Sequence, residues 1–236
     1  MVDTNRLTLP LLQPAQAQKH VTVNESLMRL DGLVNLVLVS RSVTTPPTTV
    51  VDGVSHGVPD GAVDAWAGKG GKVAIGSNGG WVFAQPQLGW RGFIADEGRA
   101  AIHDGVDWQA GALTLSASGA ALLAGVAEID HVIAPGASSA TTAVIPSQAM
   151  VIGVSGRVLS DITGTLTTWQ LGNGDSSDRF GAGLGIAEGS WVRGMLSQPM
   201  TFWAPTALLL TATGGTFSSG TVRLVVHYLE ISRPRA

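Results

Sequence analysis

The sequence predicts a mainly β protein, with a short N-terminal arm and helix, a small antiparallel β meander and a C-terminal β-sandwich or jelly roll. Glycine accounts for 31 of the 236 residues, roughly twice its usual share of about 7%, and it recurs between short apolar runs. Asn78-Gly79 and Asp104-Gly105 are dipeptides typical of hairpin turns. The segment 221–231 alternates as a half-buried strand does, with apolar residues on one face and polar residues on the other.

Residues 1–43 are predicted to form the arm and the helix. Leu7 to Leu12 is an extended apolar arm, because Pro10 does not fit a helix interior. Thr22 and Glu25 have the spacing of a capping box, which predicts a helix of about 18 residues ending near Arg41. We expect this helix to serve attachment and oligomerisation, although packing on its own domain is the alternative. Its predicted contact face consists of Leu27, Leu30, Val34 and Val37.

Three further regions follow. Residues 44–110 are predicted to form a Trp-rich β module, and residues 111–127 an uncharged connector between two β modules. Residues 128–236 are predicted to form the C-terminal β-sandwich, because strand-like runs alternate there with Gly-rich turns. The predicted strands of the two β regions are 72–75, 81–83, 99–103, 150–159, 165–171, 206–212 and 221–231.

Charge and composition exclude several classes of function. Fourteen Lys and Arg residues against 17 Asp and Glu residues give a net charge of −3, whereas a nucleic-acid binder needs a basic face. The chain has no cysteine, so it can form neither a disulfide nor a Cys-based zinc site. The N-terminus lacks the apolar core of a signal peptide. The longest apolar runs, 33–39 and 207–212, are shorter than the ~20 residues that cross a bilayer, and we expect no membrane insertion.

The sequence offers little sign of catalysis, and we expect a protein that is not an enzyme and uses no cofactor. The five histidines are scattered without a metal-binding spacing, so no metal site is predicted. No Gly-x-Ser-x-Gly elbow or P-loop is present. Carboxylate pairs such as Asp175 with Asp178, or Asp96 with Glu97, could serve a glycosidase, but such neighbours occur on most protein surfaces.

Tryptophan is the unusual feature of the composition, with seven residues against one tyrosine. A tryptophan ring offers a large, rigid face that can stack on a sugar ring, although core packing is the more common role of any single tryptophan. Trp191 and Trp203 lie in predicted loops, and Arg193 is close to the first of them. These three residues are the predicted candidates for glycan binding.

Several motifs resemble a domain-of-unknown-function family of tailed phages, prophages and gene transfer agents of alphaproteobacteria. The N-terminal motif is LPLLQPAQAQKHVTVNE at residues 9–25, followed by Leu30-Asp31. The turn-and-tryptophan motifs are those around Trp66, Trp81, Trp90 and Trp108. The segments IGVSGRV, ITGTL, RFGAGL and LLTATGG, which begin at residues 152, 162, 179 and 209, look like the module that often follows this family.

The resemblance implies a head spike or fibre protein of a virion, one that contacts the polysaccharide of the recipient cell surface. It implies other virion structural proteins as partners, and particles that assemble in the bacterial cytoplasm and leave by lysis. It carries no catalytic residues. A homotrimer is expected, because fibres are commonly trimeric. Two alternatives remain open: a depolymerase or glycosidase that acts on the same capsule, and a purely structural virion component.

Overall fold

The protein divides into two compact units in a computed structural model that describes Leu11 and residues 19–235. Unit 1 comprises Met1–Ala121 together with Arg233–Ala236, and unit 2 comprises Leu122–Ser232. Strands hold 55% of the residues that the structure describes and helix 7%, which confirms the predicted mainly β class. Apart from Leu11, the arm predicted at residues 7–12 lies outside the described residues.

Unit 1 contains one α-helix, one short 3-10 helix and eight strands within the described residues. The α-helix is α1 (Lys19–Leu33), and the 3-10 helix is Asp64–Trp66. The strands are β1 (Val37–Leu38), β2 (Ser55–Gly57), β3 (Val73–Ser77), β4 (Gly80–Ala84), β5 (Arg91–Ile94), β6 (Arg99–His103), β7 (Trp108–Ala110) and β8 (Ala112–Leu115).

Seven of these strands form one mixed sheet, in the order β4-β3-β2-β1-β5-β6-β7. The central strand β1 is parallel to both neighbours: Leu38 pairs with Ser55 of β2 and with Ile94 of β5. The other pairs are antiparallel. The predicted small antiparallel meander is therefore wrong in one respect, because the chain from the predicted N-terminal region supplies the middle of the sheet. The expected boundary between residues 43 and 44 falls inside this unit.

The helix α1 ends earlier than predicted. It already includes Lys19, so Thr22 lies inside it and does not cap it, and it stops at Leu33 instead of continuing to Arg41. Asn35 has a positive φ of 49°, the left-handed conformation in which helices commonly terminate. The apolar run that suggested a longer helix instead continues into β1, where Leu38 is fully buried.

Helix α1 packs closely on the sheet at Gly32. A Cβ atom at this position would come within 2.5 Å of the Ile75 side chain on β3, so a larger residue would push the helix away. The largest core of unit 1 lies in the same sheet and is formed by Leu36, Leu38, Val73, Ile75, Ala84, Ile94, Ala101, Trp108 and Ala110. A smaller cluster contains Val58, Trp66 and Ala74.

Unit 2 consists of two sheets whose strands are long. Its strands are β9 (Ala121–Val132), β10 (Ser138–Ile145), β11 (Ala149–Gly164), β12 (Thr168–Asn173), β13 (Ser176–Leu184), β14 (Trp191–Phe202), β15 (Thr206–Thr213) and β16 (Phe217–Ile231). One sheet has the order β10-β15-β12-β13, and the other contains β14-β11-β16-β9. All of these pairs are antiparallel, consistent with a β-sandwich.

The core of unit 2 is formed by buried apolar residues of both sheets. Strand β16 shows the predicted alternation: Val222, Leu224 and Val226 are buried, whereas Arg223 is exposed. The predicted connector 111–127 is mostly strand, since it contains β8 and the first half of β9, and the division between the units falls at Ala121.

Candidate functional site

The predicted site residues Trp191 and Arg193 lie on β14, which is the edge strand of its sheet. They are two positions apart, so their side chains point to the same face. Val192, between them, points the other way and is buried in the core of unit 2. Trp191 is 67% exposed, and Arg193 is also exposed. The structure thus brings this tryptophan and this arginine together on the solvent face of one strand.

Strand pairing adds two arginines that the sequence analysis did not include. Arg157 of β11 is directly opposite Trp191, and Arg223 of β16 is directly opposite Arg157. Residues in direct cross-strand register share a face of the sheet, with Cβ atoms about 4.5–5.5 Å apart. Asp130 of β9 completes this row, because it is paired with Arg223.

The neighbouring row begins with Arg193. This residue is opposite Ser155 of β11, which is followed by Val225 of β16 and Glu128 of β9. We call the solvent face that carries these two rows the arginine face; its members are Trp191, Arg157, Arg223, Asp130, Arg193, Ser155, Val225 and Glu128. Its charged residues are three arginines and two acids, distributed unevenly across the sheet.

The two acids of the arginine face both serve Arg223. Its Nε donates to Asp130 Oδ1 at 2.6 Å and its Nη2 donates to Asp130 Oδ2 at 2.7 Å, a bidentate pair. Glu128 Oε1 lies 3.6 Å from Arg223 Nε. The hydrogen bonds from Arg223 hold the pKa of Asp130 below its usual range. Arg223 is therefore neutralised within the sheet.

Arg157 and Arg193 have no such counter-charge. Neither guanidinium has a hydrogen bond or ion pair with any residue that the structure describes. Arg157 is opposite Trp191 and Arg193 follows Trp191 by two positions, so both arginines are neighbours of Trp191 on this face. The arrangement can offer an apolar ring and two sets of fixed N–H donors to one ligand.

Trp203 does not lie with this group. It follows the last residue of β14, whereas Trp191 is the first residue of that strand. Phe202, the residue before Trp203, is opposite Ala149 of β11, and Trp191 is opposite Arg157 of the same strand. At about 3.3 Å per residue along β11, the two tryptophan positions are roughly 25–30 Å apart. Trp203 is 80% exposed, and its carbonyl oxygen accepts a hydrogen bond from Ser147 Oγ at 2.9 Å.

The four residues of the predicted helical contact face are divided among helix α1, the turn after it and strand β1. Leu27 is half-buried on α1, and Leu30 is 47% exposed on the same helix. Val34 is 38% exposed just after the helix ends, and Val37 is exposed on β1. The four residues therefore do not form one helical stripe, although three of them remain accessible in the single chain.

The carboxylate pairs considered for a glycosidase have structural partners. Glu97 pairs with Arg41, whose Nε lies 2.6 Å from Glu97 Oε1. Asp178 accepts a hydrogen bond from Ser176 Oγ at 2.9 Å. Among the residues that the structure describes, no group of three or more His, Asp and Glu side chains is placed to hold a metal ion. No helix in the described part of the chain is long and apolar enough to cross a membrane.

Arg157 and Arg223 were missed because the sequence does not reveal strand register. Arg157 is visible only as a charged residue within the apolar segment 150–159, and nothing in that segment indicates which residue of β14 it meets. Register depends on turn geometry and on which face is buried. Alternation along β16 was a usable signal for Arg223, since it marked that residue as facing away from the core.

Comparisons with known proteins bear on unit 1. A family model described as a protein of unknown function, DUF2793, matches residues 23–109. This supports the resemblance to a domain-of-unknown-function family over that part of the chain. Unit 2, with Trp191 and Arg193, lies outside the matched residues. No curated protein sequence matches the chain.

One similar solved structure is described as the cyanophage Pam1 capsid asymmetric unit. It shares 21% sequence identity with this chain over 48% of this chain and 86% of that chain, with a TM-score of 0.35. A TM-score at this level is below that of a shared fold.

Proposed function

We propose that the protein is a structural component of a phage-like particle, and that its second unit binds cell-surface polysaccharide through the arginine face. The virion assignment is supported by the N-terminal and tryptophan motifs, together with the family match over residues 23–109. The binding role rests on one observation: Trp191 is 67% exposed and is the neighbour, on one face of the sheet, of two arginines that lack partners among the described residues.

An exposed tryptophan on the solvent face of a sheet suits a saccharide. The ring of Trp191 can cover the apolar face of a sugar, while Arg157 and Arg193 donate hydrogen bonds to its oxygens. Exposing a large apolar ring to water is unfavourable. Five of the seven tryptophans avoid this exposure, since three are buried and two are half-buried: Trp66, Trp108, Trp169, Trp81 and Trp90. Binding would cover the ring of Trp191 without rearranging the core.

Multiple copies are part of the proposal. A shallow sugar site binds weakly, with a Kd near millimolar, or about −4 kcal/mol. Joining several sites in one assembly raises the overall avidity by about 10² to 10⁴. We propose a homotrimer that attaches to other virion proteins through residues of unit 1, for which Leu30, Val34 and Val37 provide accessible apolar surface.

The proposed role is binding without catalysis. The arginine face is the outer surface of a sheet, and its two carboxylates, Asp130 and Glu128, both lie against Arg223. A glycosidase needs one carboxyl group to donate a proton and another to attack or activate water, on either side of the scissile bond. Carboxylates that neutralise the same guanidinium are poorly suited to that division of roles.

The test compares two exposed tryptophans of unit 2. Binding of the full-length protein to capsulated bacteria and to their acapsular mutant is measured by co-sedimentation. Trp191→Ala should weaken binding to capsulated cells by about 1–3 kcal/mol, the range for losing a stacked ring, whereas Trp203→Ala should bind as the unmodified protein does. Equal binding by both variants would overturn the site. Absence of capsule-dependent binding would favour a purely structural component, and new reducing ends on the polysaccharide would favour the depolymerase.

A further inference from the structure

The arginine face holds three arginines within two neighbouring rows, and only one of them is neutralised. Arg157 is directly opposite Arg223 on the adjacent strand, a position in which like charges destabilise a sheet. Arg193 is the diagonal neighbour of Arg157, because it lies two positions beyond the residue that Arg157 opposes. From this arrangement we propose that the polysaccharide bound by the arginine face is acidic, and that Arg157 and Arg193 bind the carboxylates of its sugar residues. This inference rests on the function proposed above.

The distribution of acids supports an anionic ligand. Asp130 and Glu128 both lie on β9 beside Arg223, at the side of the face away from β14. At the β14 side, the strand order places Arg193 and Trp191 at the sheet edge with Arg157 next to them. Two positive charges thus remain beside the exposed ring in a chain whose net charge is −3. A ligand carboxylate would supply the missing counter-charge.

Geometry favours a carboxylate over a neutral hydroxyl. A guanidinium is a planar fork of N–H donors that matches the two oxygens of a carboxylate. Diagonal neighbours in an antiparallel sheet have Cα atoms about 7–8 Å apart, within reach for two long side chains. Arg157 and Arg193 can therefore contact one carboxylate together, or the carboxylates of successive sugars, while the ring of Trp191 covers the sugar between or beside them.

The experiment uses a polysaccharide whose charge can be removed chemically. The full-length protein is titrated with polygalacturonate and with carboxyl-reduced polygalacturonate, which keeps the same sugar backbone without the acids. Hyaluronan and alginate serve as two further carboxylated probes. We expect binding to at least one carboxylated probe at 50 mM NaCl, at least tenfold weaker affinity for the reduced polymer, and a marked loss of affinity at 500 mM NaCl.

Four arginine variants test whether the charge and the shape of these side chains determine the affinity. Arg157→Gln and Arg193→Gln should each lower the affinity for the carboxylated probe by at least fivefold, with little change for the reduced polymer. Arg157→Lys keeps the positive charge but lacks the planar fork of N–H donors, so its affinity should lie between those of Arg157→Gln and the unmodified protein. Arg91→Gln removes an equivalent exposed arginine from β5 of unit 1 and should have no effect.

The outcomes distinguish this inference from the proposed function. If the native and reduced polymers bind equally well, and Trp191→Ala weakens both, the glycan site stands and the acidic specificity is wrong. If none of the three carboxylated probes binds at 50 mM NaCl, the acidic specificity is also wrong, while capsule-dependent binding to cells still decides the proposed function. Loss of binding in Arg91→Gln equal to that in Arg157→Gln would show a nonspecific charge effect and would overturn the inference.

Discussion

Arg235 donates from Nη1 to the buried carboxylate of Asp104, with 2.5 Å between Nη1 and Oδ2. Its Nη2 also donates to the carbonyl oxygen of Asp104 at 3.2 Å, and its backbone N–H donates to the carbonyl oxygen of Ser118. Arg235 and its two partners, Asp104 and Ser118, all belong to unit 1, although the whole of unit 2 lies between Ser118 and Arg235 in the sequence. Unit 1 is therefore completed by residues from two distant parts of the chain.

Removing this pair should destabilise unit 1. We expect Arg235→Gln to lower its free energy of unfolding by about 1–2 kcal/mol, the range for a hydrogen bond to a charged group reduced because the arginine side chain is 40% exposed. Chemical denaturation measures the loss, and hydrogen exchange assigns it to unit 1. Arg233→Gln, which alters an exposed arginine two residues away, is the control. Equal stability of both variants would show that the pair contributes nothing.

The same carboxylate should make unit 1 sensitive to acid. Burial raises the pKa of Asp104, but hydrogen bonds from the backbone of Asp107 and Val106 and from the Gln109 and Arg235 side chains outweigh it, so the pKa lies below its ordinary value. A depressed pKa means that the stabilisation is complete above the unfolded value of about 3.9 and is lost as the pH falls through the folded value.

We therefore expect the urea midpoint of unit 1 to fall between pH 5 and pH 3 more steeply than in Asp104→Asn, which has no carboxylate at this position. The variant should be less stable near neutral pH, because an amide nitrogen would face N–H donors. Parallel pH profiles of the two proteins would contradict the assignment to Asp104.

Exposed and buried tryptophans should respond differently to truncation. Trp191→Ala and Trp203→Ala should change the free energy of unfolding by less than about 0.5 kcal/mol, as surface substitutions do. Trp66→Ala should cost about 3–5 kcal/mol, because Trp66 is fully buried and its loss leaves a cavity. Thermal denaturation of the three variants provides the comparison. A large loss of stability in Trp191→Ala would mean that this ring packs within the protein or its oligomer.

The apolar surface near α1 should govern assembly. Introducing charge with Leu30→Asp and Val34→Asp should convert the proposed trimer to smaller species without unfolding unit 1, since both side chains are exposed in the single chain. Light scattering after size-exclusion chromatography measures the mass. Val63→Asp, at another exposed apolar position of unit 1, should leave the mass unchanged. A monomeric wild-type protein at micromolar concentration would contradict the trimer.

Local signals in the sequence predicted those features that depend on neighbours in the chain. Asn78 and Gly79 form the turn between β3 and β4, and both have positive φ, as the dipeptide predicted. The buried face of β16 followed directly from its alternation. The strand predicted at 99–103 has the same bounds as β6.

Features that depend on long-range pairing could not be predicted in this way. The apolar run after Leu33 fits a helix as well as it fits β1, and only its burial between β2 and β5 decides for a strand. The signals that could have ended the helix were Gly32 and Asn35, which sit at a close packing contact and at a left-handed turn. The position of Arg157 beside Trp191 depends on the register of two strands separated by β12 and β13.

The central place of the two-residue strand β1 has a consequence for the rate of folding. Strands β2 to β4 and strands β5 to β7 each form antiparallel ladders between neighbours in the chain, which close short loops and can form early. Their union requires Leu38 to pair with both Ser55 and Ile94, and loop-closure entropy opposes these distant parallel contacts. Insertion of β1 between two preformed ladders is thus the expected slow step of folding. Truncation of the Leu38 side chain to alanine should therefore slow refolding more than an equally destabilising substitution within either three-stranded ladder.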